Sequence, residues 1–192
     1  MPTANDTIKQ TFIAHAETIA RLDGLIPDIA RLAELVKASL ANGGKIFWCG
    51  NGGSAADSQH MAAELVGRFQ KERRGLASIA LTTDTSILTS VGNDYGYDYV
   101  FARQIEALCR REDLLIGIST SGNSANVLHA IEAAKTLGAT TVAWTGEGGG
   151  KLASIADLTL AVPSRVTARV QEAHILIGHI LCDLIDHAYA AD

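Results

Sequence analysis

The amino-acid sequence predicts an α/β fold of three layers, in which helices cover both faces of a five-stranded parallel sheet and further helices stand at the N-terminus. Short apolar runs alternate with segments of helical spacing, and each run is apolar at consecutive positions, as in strands buried on both faces. The 192 residues, 47% of them hydrophobic, suit one domain and are too few for two. We therefore expect a single domain over residues 1–192.

The length and spacing of the apolar segments predict the individual elements. Short runs bounded by glycine or polar residues predict strands at 45–49, 78–81, 114–118, 140–144 and 158–162. Apolar residues three and four positions apart predict helices at 55–69, 84–91, 99–108, 125–137 and 167–190. The same spacing predicts two helices in residues 1–42, ending at the turn Asn42-Gly43-Gly44.

The last predicted helix is apolar around most of its circumference. Its apolar side chains are Val170, Ala173, Ile175, Leu176, Ile177, Ile180, Leu181, Leu184 and Ile185. A helix of this kind is buried on nearly every side. One small domain would not cover both this helix and the N-terminal helices, so we expect a homo-oligomer in which residues 1–42 serve as a packing segment. An ordinary core helix of a monomer is the alternative.

Composition and charge exclude several classes of function. The formal net charge is −5 and the pI about 5.6, and the longest basic stretch is Lys71-Glu72-Arg73-Arg74, so nucleic acid is not an expected ligand. We find neither an apolar run of membrane-spanning length nor a signal-peptide pattern, so we expect a cytoplasmic protein without membrane association. Three widely spaced cysteines predict small buried side chains: Cys49, Cys109 and Cys182.

A glycine-rich turn follows the first predicted strand and leads into a helix. Glycine permits close backbone approach and a helix N-terminus attracts anions, so its backbone N–H groups can face a ligand. These N–H groups belong to Asn51, Gly52, Gly53 and Ser54. His60 and Glu64 follow four residues apart, on one face of the helix. The segment therefore predicts a ligand loop beside a possible metal-binding or proton-transferring pair.

A second loop concentrates hydroxyl groups at another helix N-terminus. It follows the third predicted strand and reads Ser119-Thr120-Ser121-Gly122-Asn123-Ser124. Hydroxyl and N–H donors suit a phosphate group, and the helix dipole adds about 0.3–1 kcal/mol per exposed charge. A turn that only caps the helix is the alternative, but it needs a single serine or asparagine. Neither loop matches a P-loop or a dinucleotide fingerprint, which argues against ATP and NAD.

The two loops are expected to share one ligand, because the carboxyl ends of parallel strands meet at one edge of the sheet. Residues 82–85 and the pair Asn93-Asp94 would add polar groups near that edge, although an Asx turn is the alternative for the pair. A polyhydroxylated phosphate ester would use such a set. The run Gly146-Glu147-Gly148-Gly149-Gly150 predicts a flexible turn.

The last helix also carries polar residues, which need partners when buried. They are Gln171, Glu172, His174 and His179. Zinc or a similar divalent ion could take His60, Glu64, Gln171 and His179. Gln171 and His179 lie about 12 Å apart along an ideal helix, so they either converge across two turns or reach one site from neighbouring subunits. Hydrogen-bonded core positions are expected for His15, His129, His174 and His187.

Together these segments resemble the sugar isomerase (SIS) domain of the phosphoheptose isomerase family. The residues that carry the resemblance are Cys49 to Ser54, His60 and Glu64, Gly92-Asn93-Asp94, residues 117–124, and Gln171-Glu172 with His179. The resemblance covers about residues 43–187 and implies an SIS-type three-layer fold. It also implies a cytoplasmic homotetramer, often with zinc bound.

The resemblance further implies a reaction and residue roles. Sedoheptulose 7-phosphate would become D-glycero-D-manno-heptose 7-phosphate through an enediol, the first step toward the ADP-heptose of lipopolysaccharide. Glu64 would move the proton between C1 and C2, His179 would act as the acid, and Asp57 would orient His60. Zinc would be held by His60, Glu64, Gln171 and His179. The substrate would be bound by Asn51, Gly52, Gly53, Ser54, Glu64, Asn93, Asp94, Ser119, Thr120, Ser121, Ser124 and Gln171.

Two points limit the resemblance. A metal-bound glutamate is a weak base, so Glu64 cannot be both a full zinc ligand and an efficient base. Where relatives carry an acidic residue shortly before Gln171, this chain reads Ser164-Arg165-Val166-Thr167-Ala168, so we expect one contact to a sugar hydroxyl to be missing. That segment is closer to a non-catalytic SIS protein that associates with the bacterial replication initiator, the alternative function. This relative lacks the catalytic glutamate and second histidine, so Glu64 and His179 favour the isomerase.

Overall fold

The computed structural model describes residues 2–190 and has the predicted α/β architecture. Five parallel strands form one sheet in the order β2-β1-β3-β4-β5. They are β1 (Ile46–Gly50), β2 (Ser78–Ala80), β3 (Leu114–Ser119), β4 (Thr140–Thr145) and β5 (Leu158–Ala161). Every residue of β1 and β3 is buried, which explains why these strands appear in the sequence as continuous apolar runs.

Helices cover both faces of the sheet, as predicted. One face carries α1 (Ala4–Ala20), α2 (Ile26–Ala41), α3 (Gly53–Val66) and α7 (Thr167–Tyr189). The other carries α4 (Thr85–Asp94), α5 (Ala102–Leu108) and α6 (Ala125–Thr136). Beneath α7, the rings of Trp48 and Trp144 meet edge to face at 5.6 Å in the core.

Three predicted helix bounds were wrong, each for a local reason. α3 ends at Val66 rather than Phe69, because the backbone leaves the helical conformation at the C-cap residue Gly67; the Arg73 guanidinium then bonds the carbonyl groups at the helix C-terminus. α4 continues to Asp94, so Asn93 and Asp94 end a helix instead of forming a turn. α5 begins only at Ala102, because residues 97–99 form a separate 3₁₀ turn.

The helices α1 and α7 leave apolar surface uncovered in a single chain. On α7, Ile180 and Leu184 remain 38% and 36% exposed, so the expectation of burial on nearly every side does not hold within one copy. On α1, Phe12 is 70% exposed and Thr18 is the one buried residue. Within residues 2–190, none of the helices is both long and apolar enough to span a membrane.

The prediction of burial was confirmed for the three cysteines and for one of the four isolated histidines. The three cysteines are free and buried, as predicted. His174 is the hydrogen-bonded core residue expected of it: its Nε2 lies 3.1 Å from the Thr145 carbonyl, and burial lowers the pKa of His174 to about 4. The core prediction is wrong for the half-buried His129 and for His15 and His187, which are exposed. Surface carboxylates lie beside these three histidines.

Candidate active site

The order of the strands creates a crevice at the carboxyl ends of β1 and β3. After β1 the chain passes to β2 on one side, and it then returns to place β3 on the other side of β1. Ligands of open α/β sheets bind at such a switch point. The two predicted ligand loops, residues 51–54 and 119–124, follow these two strands.

A cavity of about 310 Å³ opens between the two loops. Its lining comprises Asn51, Gly52, Gly53, Ser54, Ile118, Ser119, Thr120, Ser124, Thr167 and Gln171. The structure thus brings eight of the predicted substrate residues to one place. It adds Thr167, at the start of α7, which belongs to the segment that departs from the family resemblance.

Three serine hydroxyls of the second loop meet beside this cavity. The Oγ of Ser119 lies 2.8 Å from that of Ser124 and 3.4 Å from that of Ser121. Ser124 occupies the N-cap position of α6, yet among the described residues its side chain makes no capping hydrogen bond. A capping role therefore does not account for these serines. Because hydroxyl groups rotate, the cluster can turn its donors toward an anion.

The glycine-rich turn at residues 146–150 packs tightly against the second loop. Gly122 adopts a φ of +66°, and a Cβ atom there would collide with the carbonyl oxygen of Gly149. A Cβ on Gly150 would lie 2.5 Å from the carbonyl oxygen of Ser121. The turn predicted as flexible is thus a close backbone support for the loop.

A reciprocal amide pair joins the two loops. Asn51 donates from Nδ2 to Asn126 Oδ1 at 2.9 Å, and Asn126 donates back to Asn51 Oδ1 at 2.8 Å. The Asn51 side chain, predicted to bind a sugar hydroxyl, therefore has a structural partner. Asn126 is buried and was missed from the sequence, because nothing near it along the chain indicates a partner 75 residues away.

His60, Glu64 and His179 come together where α3 crosses α7. His60 Nε2 lies 3.0 Å from Glu64 Oε1, and the rings of His60 and His179 meet at 5.2 Å with an angle of 70°. The helices approach closely because Gly178 faces Met61, with no side chain between them. We call these three residues the acid–base cluster.

Two further residues adjoin this cluster. The Phe69 ring stacks on His179 at 5.4 Å and 22°, a contact that the sequence prediction missed because Phe69 was placed inside α3. Asp57 was expected to orient His60. Its Oδ2 is buried without a hydrogen-bond partner in the described chain, whereas His60 bonds Glu64. Burial raises the pKa of Asp57 to about 6, against an opposing effect of His60.

Gln171 lies apart from the acid–base cluster. Its amide packs on Gly53, with the Cδ atom 2.9 Å from where a glycine Cβ would stand. Gly53 precedes His60 by seven residues, about 10 Å along α3. Over residues 2–190, no three histidine, cysteine, aspartate or glutamate side chains are grouped to hold a metal ion. In one chain Gln171 therefore lies apart from the other three predicted zinc ligands, and zinc binding stays a prediction.

Other predicted site residues also stand outside the cavity. Asn93 and Asp94 are exposed at the end of α4, where Asn93 donates to Asp94 at 2.8 Å. Ser121 is exposed and accepts the Asn123 backbone N–H. Glu64 belongs to the acid–base cluster, eleven residues beyond Gly53 on α3 and about 16 Å along its axis. One chain therefore carries a phosphate-sized cavity and a separate acid–base cluster.

Comparisons with known proteins assign the family. The sequence model of the SIS domain matches residues 12–146. A phosphoheptose isomerase of Aliarcobacter butzleri is 55% identical over 94% of this chain and 96% of its own. Solved phosphoheptose isomerases superpose closely. That of Neisseria gonorrhoeae is 47% identical with a TM-score of 0.91, covering 96% of this chain and 100% of its own. That of Francisella tularensis is 42% identical with a TM-score of 0.94, covering 97% and 100%. The chain therefore belongs to the phosphoheptose isomerase family of SIS-domain proteins.

Proposed function

We propose that this protein is an aldose–ketose isomerase that converts sedoheptulose 7-phosphate into D-glycero-D-manno-heptose 7-phosphate. The observation that carries the proposal is the cluster in which His60 contacts both Glu64 and His179, on a fold that also carries a hydroxyl-lined cavity. Relatives that are about half identical over nearly the whole chain bear the name of this enzyme. The non-catalytic alternative gains no support from them.

The proposed chemistry needs one base and one acid. The Glu64 carboxylate removes a proton from C1 of the ketose while His179 donates a proton to the oxygen on C2, giving the enediol. The Glu64 carboxyl group then returns its proton to C2, and the C1 hydroxyl proton passes to His179, which leaves an aldehyde at C1. A positioned acid or base typically contributes about 10²–10⁴-fold to such a step. The Ser119, Ser124 and Thr120 hydroxyls hold the phosphate at the cavity.

The proposal includes a homo-oligomer, with a tetramer as the expected state. In one chain Gly53 and Glu64 lie about 16 Å apart along the axis of α3, so the cavity and the acid–base cluster are separate features. Packing between copies would bring further groups to both. Exposed apolar residues on α1 and α7, among them Phe12 and Ile180, supply surface for such packing.

Zinc, cytoplasmic location and a role in ADP-heptose synthesis for lipopolysaccharide are further parts of the proposal. Of the expected zinc ligands, His60, Gln171 and His179 would hold the ion, because Glu64 as a full ligand would be a weak base. No step above passes through a metal. Three buried free cysteines are typical of a reducing compartment such as the cytoplasm.

Turnover of purified protein on sedoheptulose 7-phosphate, with and without a chelator, tests the proposal. We expect the aldose to form in the untreated sample, and loss of activity on chelation would support zinc. Glu64→Gln removes the proton acceptor at nearly constant volume, so we expect kcat to fall by about 10²-fold or more with the fold retained. Glu34→Gln, at an exposed glutamate on α2, is the matched control. A fully active Glu64→Gln variant would contradict the mechanism, and no turnover in the parent protein would contradict the function.

A further inference from the structure

One buried ion pair fastens the segment after α3 to the last helix. The side chains of Arg73 and Asp186 are fully buried, and Arg73 Nε donates to Asp186 Oδ1 at 2.6 Å. The second carboxylate oxygen accepts the backbone N–H groups of Gln70 at 2.6 Å and Lys71 at 2.8 Å. Burial alone would raise the pKa of Asp186, but these N–H groups and Arg73 outweigh it and lower the pKa below its usual range.

The same arginine also fixes the end of α3. Its guanidinium donates to the carbonyl groups of Glu64 and Leu65, both at 2.9 Å, and of Gly67 at 3.2 Å. These carbonyls lack partners within the helix, so an arginine fork is well suited to satisfy them. The backbone of the proposed base, Glu64, is therefore tied to α7 through Arg73 and Asp186.

Phe69 belongs to the segment that this ion pair holds, and its ring contacts His179. Phe69 lies one residue before the two N–H groups that Asp186 binds, and Asp186 stands seven residues, about two turns, beyond His179 on the same face of α7. The His179 imidazole thus has the Phe69 ring stacked on one side and the His60 ring 5.2 Å away at an angle of 70°. Its orientation depends on where the segment is held.

We propose that Phe69 and the Arg73–Asp186 pair are positioning residues for His179, an inference that rests on the proposed function. The ion pair holds the segment on α7, and the aromatic face restricts rotation of the imidazole so that its proton-bearing nitrogen faces the substrate. A buried ion pair is weak evidence for stability, since an apolar pair often serves as well, but it specifies one geometry. A displacement of about 1 Å in a catalytic group can cost about 10²-fold in rate.

Steady-state kinetics of Phe69 variants separate positioning from folding. Phe69→Leu keeps an apolar side chain and removes the ring, so we expect kcat to fall about tenfold or more while KM stays within about twofold. Phe69→Tyr restores the ring and should return kcat to within about twofold of the parent. Asp183→Asn, at a more exposed position of α7, is the control and should leave kcat unchanged. A Phe69→Leu variant with parental kcat, or one that Phe69→Tyr does not rescue, overturns the proposal.

Histidine ring NMR signals provide a readout that does not need turnover. In the parent protein, stacking should shift the His179 ring protons upfield, with a His179→Gln spectrum identifying the signal. Asp186→Asn should move this signal toward the position that it has in Phe69→Leu. If Asp186→Asn does not fold, Arg73→Lys is measured in its place. An unmoved signal in the folded variant overturns the role of the ion pair. Inactive parent protein would overturn the proposed function instead, while the ring signals would still decide the positioning.

Discussion

Replacing Gly178 with alanine tests the close helix approach that assembles the acid–base cluster. A Cβ at this position would collide with Sδ of Met61 and lie 3.2 Å from its Cε and 3.4 Å from its Cγ. Met61 is fully buried, so it has little room to move. Overpacking costs about 1–3 kcal/mol, whereas glycine to alanine in a helix gains about 1 kcal/mol. We therefore expect a net loss of about 0–2 kcal/mol in the free energy of unfolding.

The same substitution should lower activity, because His179 follows Gly178 directly and His60 precedes Met61. Any added separation of α3 and α7 widens the 5.2 Å between the two imidazole rings. Urea unfolding and kcat are the measurements. Gly92→Ala in α4 is the matched control: its Cβ would meet the nearest atom, on Val100, at 3.8 Å, so it should gain up to about 1 kcal/mol. The reasoning fails if Gly178→Ala gains as much as this control and keeps its kcat.

Three further predictions follow from the phosphate loop and the buried ion pair. Ser124→Ala should weaken binding of the sugar phosphate by roughly 10–100-fold, because one hydrogen bond to a charged group is lost. Binding of the unphosphorylated sugar should change little. Equal losses for both ligands in competition binding would contradict the phosphate role. Gly122→Ala should cost about 1–3 kcal/mol in urea unfolding, because φ is positive and Gly149 blocks the Cβ; unchanged stability would argue against a rigid loop. Because the pKa of Asp186 is lowered on folding, its stabilisation should be complete above the unfolded value of about 4 and be lost as pH falls through the folded value. The difference in unfolding free energy between the parent and Asp186→Asn should therefore shrink below about pH 4, and a constant difference would contradict the assignment.

The strands of the sheet could be predicted from the sequence because they are buried on both faces. β1 and β3 appear as uninterrupted apolar runs, and each glycine- or serine-rich loop directly follows its strand. Strand bounds therefore needed only local information. The end of α3 was missed because Phe69 continues the apolar spacing of the helix past the C-cap residue Gly67. The arginine that bonds its terminal carbonyls lies seven residues past Val66 along the chain.

The sequence predicted the parts of the candidate site whose residues are neighbours along the chain. The hydroxyls of residues 119–124 are neighbours in sequence, so their meeting was expected. The pairing of Asn51 with Asn126, and the contact of Gln171 with Gly53, depend on how separate elements pack. Surface histidines were predicted as core residues because a single buried position, such as that of His174, has no sequence signature distinct from an exposed one. Asn93 and Asp94 stay predictions, since one chain leaves them outside the cavity.

Within residues 2–190, the lining of the cavity between β1 and β3 includes hydroxyl, amide and backbone groups but neither lysine nor arginine. A phosphate there would be held by fixed dipoles at short range and not by an opposite full charge. Mobile ions screen interactions between full charges over about 10 Å at 0.1 M salt, but they do not enter hydrogen bonds. Affinity for a sugar phosphate should therefore change little with ionic strength. Discrimination among anions should follow their shape and number of acceptors, so that a flat carboxylate is a poor substitute for a tetrahedral phosphate.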